Sequence, residues 1–495
     1  MKYENPILPG FNPDPSICRV GGDYYLVTSS FEYFPGLPVY HSRDLLNWTQ
    51  IGNCIDRPGM LPMAEAQPDM GIWAPTIRYH AGRFYVTAKE KTFGNFIISA
   101  TDPAGPWTDP VRVDIGGINP SLLFDGGKAY YCTNHRTVAE KECISMVEVD
   151  PDTGELLSPI CAIWHGMTGW KPRYLEAPHV YHIGEWYYVI AAEGGTGYEH
   201  TITCARSRSI RGPYENCPHL LLTNVPVGDT GVACSGHGDL VQAADGSWWC
   251  VHLGTRPDDA WYSHMGRETF LLPVSWQDGW PVIADGRSRI CMDAPLWHPQ
   301  KRPESWTADL SRLQPEWLFL REPVCGHYRF SPEGLTLTPS RTKISQDAGS
   351  PTMLLIRPLD VRCTVEVCMD FAPREEGDEA GVTMYLSSQG YICLSIRRTG
   401  GRDVLTVTRS MGGPRPMDVP APAGPCIFRI VAGKETYQLS VTGADGVDRP
   451  VVTIPVLSRA QAGKCFTGTL LGVYAQSEAE TEARALVTRF SMRRM

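Results

Sequence analysis

Five times along the first part of the chain, an apolar run breaks at a glycine turn and resumes with aromatic residues. The turns read Gly22-Asp23-Tyr24-Tyr25, Gly82-Arg83-Phe84-Tyr85, Gly127-Lys128-Ala129-Tyr130-Tyr131, Gly184-Glu185-Trp186-Tyr187-Tyr188 and Gly246-Ser247-Trp248-Trp249. A period of roughly 45 to 60 residues holds four short strands and their turns, the size of one propeller blade. A second element follows some of the turns: His41 to Trp48, Ser99 to Asp102 with Gly105-Pro106-Trp107, and Ser207 to Tyr214. These read as outer-strand segments of blades one, two and four. Five such units predict a five-bladed β-propeller, because radial repetition of small sheets leaves little exposed edge.

The repeat stops near residue 297, and the texture changes. Val361, Cys363, Val365, Val367 and Met369 alternate with Arg362, Thr364, Glu366, Cys368 and Asp370, and Ile392, Leu394 and Ile396 resume the alternation. Period-two patterning of this kind predicts an antiparallel β-sandwich with one buried face per sheet. The expected organisation is therefore a propeller over 1–300, a connector over 301–325 and a sandwich over 326–495, all-β throughout. A chain of 495 residues exceeds what a single core usually supports, in agreement with two domains.

Composition narrows the function classes. The net charge of −9 comes without any Lys/Arg block, which argues against a nucleic-acid partner. No apolar stretch reaches the length of a spanning helix, and the first residues carry no apolar leader pattern, so no membrane partner and a cytoplasmic location are expected. The 16 cysteines are scattered singly, without a Cys-x-x-Cys pair, and are expected to be reduced and mostly buried. A neutral substrate fits this profile.

Residues about eight to eleven positions before each glycine turn begin the innermost strand of each blade, and these strands line the channel of a propeller. They read Asp14-Pro15-Ser16, Trp73-Ala74-Pro75-Thr76, Asn119-Pro120-Ser121, Glu176-Ala177-Pro178-His179 and Ser235-Gly236-His237-Gly238. Two carboxylates delivered to one axial pocket are what glycoside hydrolysis requires: one protonates the leaving oxygen while the other activates water or attacks carbon. Asp14, stiffened by a proline on each side, and Glu176, among groups apolar enough to keep it protonated, are that pair. Phe31 and Trp73 are candidate walls for a sugar ring, whose C–H face packs on aromatic surfaces. His237 is placed to anchor water or a cation at the axis. Arg256 either bonds sugar hydroxyls or pairs with a neighbouring acid.

The chain resembles family 43 of the glycoside hydrolases, in particular its β-xylosidase and α-L-arabinofuranosidase branch with a C-terminal β-sandwich. The resemblance is carried by Asn5 to Ser16, Ser29 to Gly36, Trp73-Ala74-Pro75-Thr76, Ala192-Glu193-Gly194-Gly195-Thr196, Gly236-His237-Gly238 and Gly266-Arg267-Glu268-Thr269-Phe270. It implies a concanavalin-like fold for the sandwich. It also implies an inverting exo-hydrolase that releases xylose or arabinose from short oligosaccharides, as in xylan breakdown, and needs no cofactor for its chemistry. Asp14 is then the general base and Glu176 the general acid, with Phe31, Trp73, His237 and Arg256 around the terminal sugar. A Ca2+ or Na+ ion held through water near His237 would be structural, and assembly as a homo-oligomer is common in such enzymes. Carboxylates about 6.5–9.5 Å apart would leave room for the attacking water.

One position departs from the family pattern. The family's third carboxylate begins an Asp-Pro-Ser motif, and here the residue is Asn119. The amide keeps the shape and removes a charge that would raise the pKa of Glu176. Asp125, nearby in sequence, is not expected to substitute. Alternative readings are a weakened or non-catalytic sugar-binding propeller, and a propeller hydrolase or transglycosylase acting on another sugar.

Overall fold

The computed structural model describes residues 2–136, 142–167, 174–226, 228, 230–257, 263–294, 298–410, 412–457 and 465–495. Among them the only helical element is a single 3-10 turn, Met63–Glu65. Five antiparallel sheets form the propeller. Their innermost strands are Ser16–Val20, Thr76–His80, Ser121–Asp125, Glu176–Ile183 and Ala233–Gln242, each joined by one of the five glycine turns to the second strand of its blade. The segments expected to be outer strands lie instead around the turn from third to fourth strand, as with Gly36–Ser42 and Thr49–Ile55 in blade one.

Strand Lys2–Glu4 pairs with Cys291–Asp293 beyond the fifth blade. Nearby, the Asn5 side-chain amide accepts from the Leu271 N–H at 2.9 Å and donates to the Leu271 carbonyl at 3.0 Å. The first residues of the chain thereby lock onto the last blade, which prevents the ring from opening at that seam.

The sandwich is two eight-stranded sheets. Strand Cys363–Phe371 buries Cys363, Val365, Val367, Met369 and Phe371, as the alternation predicts. Strand Glu379–Ser387 is buried on both sides, because one face meets the sandwich core while Tyr385 packs with Phe11 and Phe31 of the propeller. The 301–325 stretch is part of this architecture: Ser305–Thr307 joins one sheet and Leu318–Leu320 the other. Leu318–Leu320 also pairs with Tyr33–Phe34, so a two-residue strand from blade one ends a sandwich sheet. One hydrophobic cluster runs from Val27, Ile55 and Ile72 through Trp317 to Val365 and Val473, across what would otherwise be a domain boundary.

Candidate active site

A cavity of about 460 Å³ opens at the start of the innermost strands. Asp14, Asn119 and His237 all reach it from left-handed backbone, with φ of 56°, 54° and 52°. In blade four the corresponding left-handed residue before proline is Ala177, at 53°, and a register shift separates Glu176 from His179. Glu176 therefore enters one residue upstream of the position that Asp14 and Asn119 occupy. Phe31 and Trp73 arrive together because Phe31 and Ile72 exchange backbone hydrogen bonds of 2.9 and 3.0 Å. Gly71 permits this approach: a Cβ there would lie 2.2 Å from the Phe31 carbonyl oxygen.

Asp14 is buried, with a hydrogen-bond donor on each oxygen. Its Oδ2 accepts from the Ser29 hydroxyl at 2.5 Å, its Oδ1 accepts from Arg267 Nη1 at 2.8 Å, and His237 Nδ1 lies 3.5 Å from Oδ1. Burial by itself would raise this carboxyl. Arg267, then His237, the Ser29 hydroxyl and His200 together outweigh burial and hold Asp14 below the ordinary carboxylate range.

Glu176 is tuned the opposite way. Desolvation, and next the charge on Asp14, push it up to about 7, with Arg267 and the Asn119 amide opposing. Asn119 Nδ2 donates to Glu176 Oε2 at 3.2 Å, a bond that favours the ionised form where a carboxylate would have disfavoured it. Two carboxyls in one cavity thus have their proton affinities driven apart, the pattern that assigns one as base and the other as acid.

His237 and His200 complete the floor. Burial first of all lowers both, so both are neutral imidazoles at neutral pH. Gly236 makes room for His200, whose ring atoms would sit 2.5 Å from a Cβ at that position.

Arg256 requires a correction. It does not line the cavity; its guanidinium forks onto Glu268 at 2.7 and 2.8 Å and reaches Asp360 of the sandwich at 2.8 Å. Of the two roles read from the sequence, the pairing role is the one observed. The arginine in the pocket is Arg267, which lay unassigned within Gly266-Arg267-Glu268. The need for a cation beside an ionised base signals that some arginine should be there, but not which one. Phe466, also missed, comes from the sandwich: its ring stacks on Phe31 with centroids 6.1 Å apart, and Arg267 lies over both rings. Tyr174 and Thr196 line the cavity as well. Asp125 sits at the opposite end of its strand, bonded to His182 and Tyr187.

Deeper in the channel the charged side chains pair with one another. The Asp239 carboxylate already accepts from Ser16 Oγ, the Ile17 N–H, both Nη atoms of Arg78 and Tyr181 Oη, at 2.6 to 3.1 Å. Arg78 Nη2 faces His179 Nδ1 at 2.9 Å, so a guanidinium supplies the positive charge on the axis. No group of three or more potential metal ligands exists among the described residues.

The model described as Glycosyl hydrolases family 43 matches residues 3–281, and that described as Beta xylosidase C-terminal Concanavalin A-like domain matches 309–493. The chain is 36% identical over 499 residues to a non-reducing end α-L-arabinofuranosidase of Bacteroides ovatus, covering 97% of this chain and 92% of that one. A xylosidase/arabinosidase of Butyrivibrio fibrisolvens is 37% identical over 413 residues, 79% of each chain. Among solved structures, the Bacteroides ovatus xyloglucan PUL GH43B protein superposes with a TM-score of 0.92 at 35% identity over 100% of both chains. A xylan β-1,4-xylosidase of Bacillus halodurans gives 0.89 at 30% identity over 99% of both.

Proposed function

The chain belongs to family 43 of the glycosyl hydrolases, and on that premise we propose that it is an exo-acting, inverting pentosidase that releases terminal xylose or arabinose from short oligosaccharides. The observation that carries the proposal is the split between the two carboxyls: Asp14 is held ionised and Glu176 protonated near neutrality, in one cavity.

In this reading Asp14 draws a proton from a water molecule, whose oxygen attacks the anomeric carbon. The glycosidic C–O bond breaks as Glu176 gives its proton to the departing oxygen, and the released sugar has inverted configuration. Arg267 keeps Asp14 basic only in the sense of keeping it ionised. Its Nη2 is buried without an acceptor among the described residues. Phe31, Phe466 and Trp73 offer aromatic faces to the ring. The plugged channel below and Phe466 at the side favour a pocket for a chain end over a groove for a polymer.

None of the sixteen cysteines is held in a disulfide, which supports a reducing, cytoplasmic setting and oligosaccharides small enough to be taken up as substrates in xylan breakdown. Hydrolysis of 4-nitrophenyl β-D-xylopyranoside and 4-nitrophenyl α-L-arabinofuranoside identifies the sugar, and proton NMR of the first anomer released tests inversion. Retention of configuration would refute the inverting mechanism, and turnover of neither glycoside would refute the pentose reading.

A further inference from the structure

Phe466 lines the side of the pocket and is anchored from two directions. Towards blade five, Arg267 Nε donates to the Phe466 carbonyl at 3.2 Å and the Thr469 N–H donates to the His264 carbonyl at 2.7 Å. Towards blade two, the Phe466 N–H donates to Asp69 Oδ1.

Asp69 lies in the turn Gln67-Pro68-Asp69-Met70, closed by the Met70 N–H on the Gln67 carbonyl at 2.9 Å. Proline followed by a residue at φ 62° is the pattern of a type II turn, whose third position favours Gly or Asn and tolerates Asp better than most residues. The Asp69 backbone carbonyl accepts from Trp73 Nε1 at 3.3 Å. One residue therefore holds two aromatic walls, Trp73 by its main chain and Phe466 by its side chain.

We propose that Asp69 is a positioning residue that fixes the sandwich's Phe466 relative to Trp73 and so sets the width of the slot that receives the sugar ring. Only the choice of substrate for the test rests on the pentosidase reading. The carboxylate is suited to this task because its neighbour Glu32, buried and next influenced by the Asp69 charge, is pushed up to about 8 and stays neutral beside it.

The test compares wild type with Asp69→Ala, Asp69→Asn, Phe466→Ala and the Asp69→Ala/Phe466→Ala double variant. KM and kcat are measured on whichever 4-nitrophenyl pentoside wild type hydrolyses, alongside hydrogen–deuterium exchange of the segment containing Phe466. Asp69→Ala is expected to raise KM on the order of ten-fold, with a smaller loss in kcat, because a wall displaced by a fraction of an ångström weakens ring placement. It should also speed exchange at Phe466. Asn accepts the same N–H and suits the left-handed turn, so Asp69→Asn should stay within about two-fold of wild type. The double variant should be no worse than Phe466→Ala, since coupled residues are not additive. If Asp69→Ala does not fold, Asp69→Gly removes the carboxylate while keeping the turn. The proposal is overturned if Asp69→Asn loses as much as the Ala or Gly variant, or if loss of the carboxylate leaves both KM and Phe466 exchange unchanged. Wild type inert on both pentosides would defeat the substrate reading alone, because exchange at Phe466 still decides the role of Asp69.

Discussion

Arg267 and Asp14 form a buried ion pair, Nη1 to Oδ1 at 2.8 Å, and the same guanidinium donates through Nε to the Phe466 carbonyl. Replacing Arg267 with Met removes the strongest influence opposing burial at Asp14, so its pKa must rise. The acid limb of kcat/KM should move to higher pH. Arg267 also restrains Glu176, so the basic limb should move the same way. A loss of about 10²–10³ in kcat is expected at the optimum, the magnitude typical for one preorganised donor in a desolvated site. A pH–rate profile of Arg267→Met with both limbs unmoved would contradict this account.

Glu176 sets the other boundary. With its carboxyl at about 7, kcat/KM should decline above that pH as the acid loses its proton. Asn119→Asp exchanges a donor amide for a like charge, so the basic limb should shift upward. Glu176→Gln should lower kcat by about 10²–10⁴ on substrates whose leaving group needs protonation. Rate profiles on xylo- or arabino-oligosaccharides, compared with aryl glycosides of acidic phenols, would separate the two effects.

Acidity carries a stability cost at the same residue. The Glu176 carboxyl is raised in the folded state, so the native chain binds more protons than the unfolded one between the ordinary carboxylate range and about 7. Stability must fall as pH rises through that window. Glu176→Gln should therefore melt higher than wild type at pH 8, by an amount worth up to about 3 kcal/mol, and lose the advantage near pH 4. Thermal denaturation at the two pH values checks the sign.

On the channel axis, Asp239 is buried, yet Arg78 first and His179 next outweigh desolvation and keep it strongly acidic. Arg78→Met strands that charge and should cost about 3–5 kcal/mol, the usual penalty for removing one member of a buried pair. EDTA should leave the melting temperature and activity of wild type unchanged. A chelator-induced loss restored by Ca2+ would show that the arginine is not the axial cation.

The propeller was legible because each blade repeats the same glycine turn, and a repeat converts five weak signals into one ring. Asp14, Glu176, Asn119, His237 and Trp73 follow from that ring, and they meet Phe31 in one cavity. Phe466 does not belong to the repeat, and no local pattern marks a loop residue whose partners Arg267 and Asp69 lie 199 and 397 positions upstream. Strand Glu379–Ser387 was hidden for a related reason: both of its faces are covered, so buried Thr383 and Glu379 break the alternation that exposed its neighbour Cys363–Phe371. Arg256 and Arg267 are indistinguishable by type. Arg256 follows strand Trp248–Thr255 and Arg267 precedes strand Glu268–Gln277, and the fold turns one towards Asp360 and the other towards Asp14.

The pairing of Tyr33–Phe34 with Leu318–Leu320 bears on how such a chain can be recombined. A propeller cut at residue 300 would leave that short strand with unsatisfied edge groups and uncover apolar side chains now shared with Trp317 and Phe319. The halves are therefore poor candidates for swapping between homologues as independent cassettes. A chimera would have to carry the Ser29–Gly36 loop and the Leu318–Leu320 strand from the same parent, which makes this small parallel inheritance, more than the linker, the natural unit of exchange.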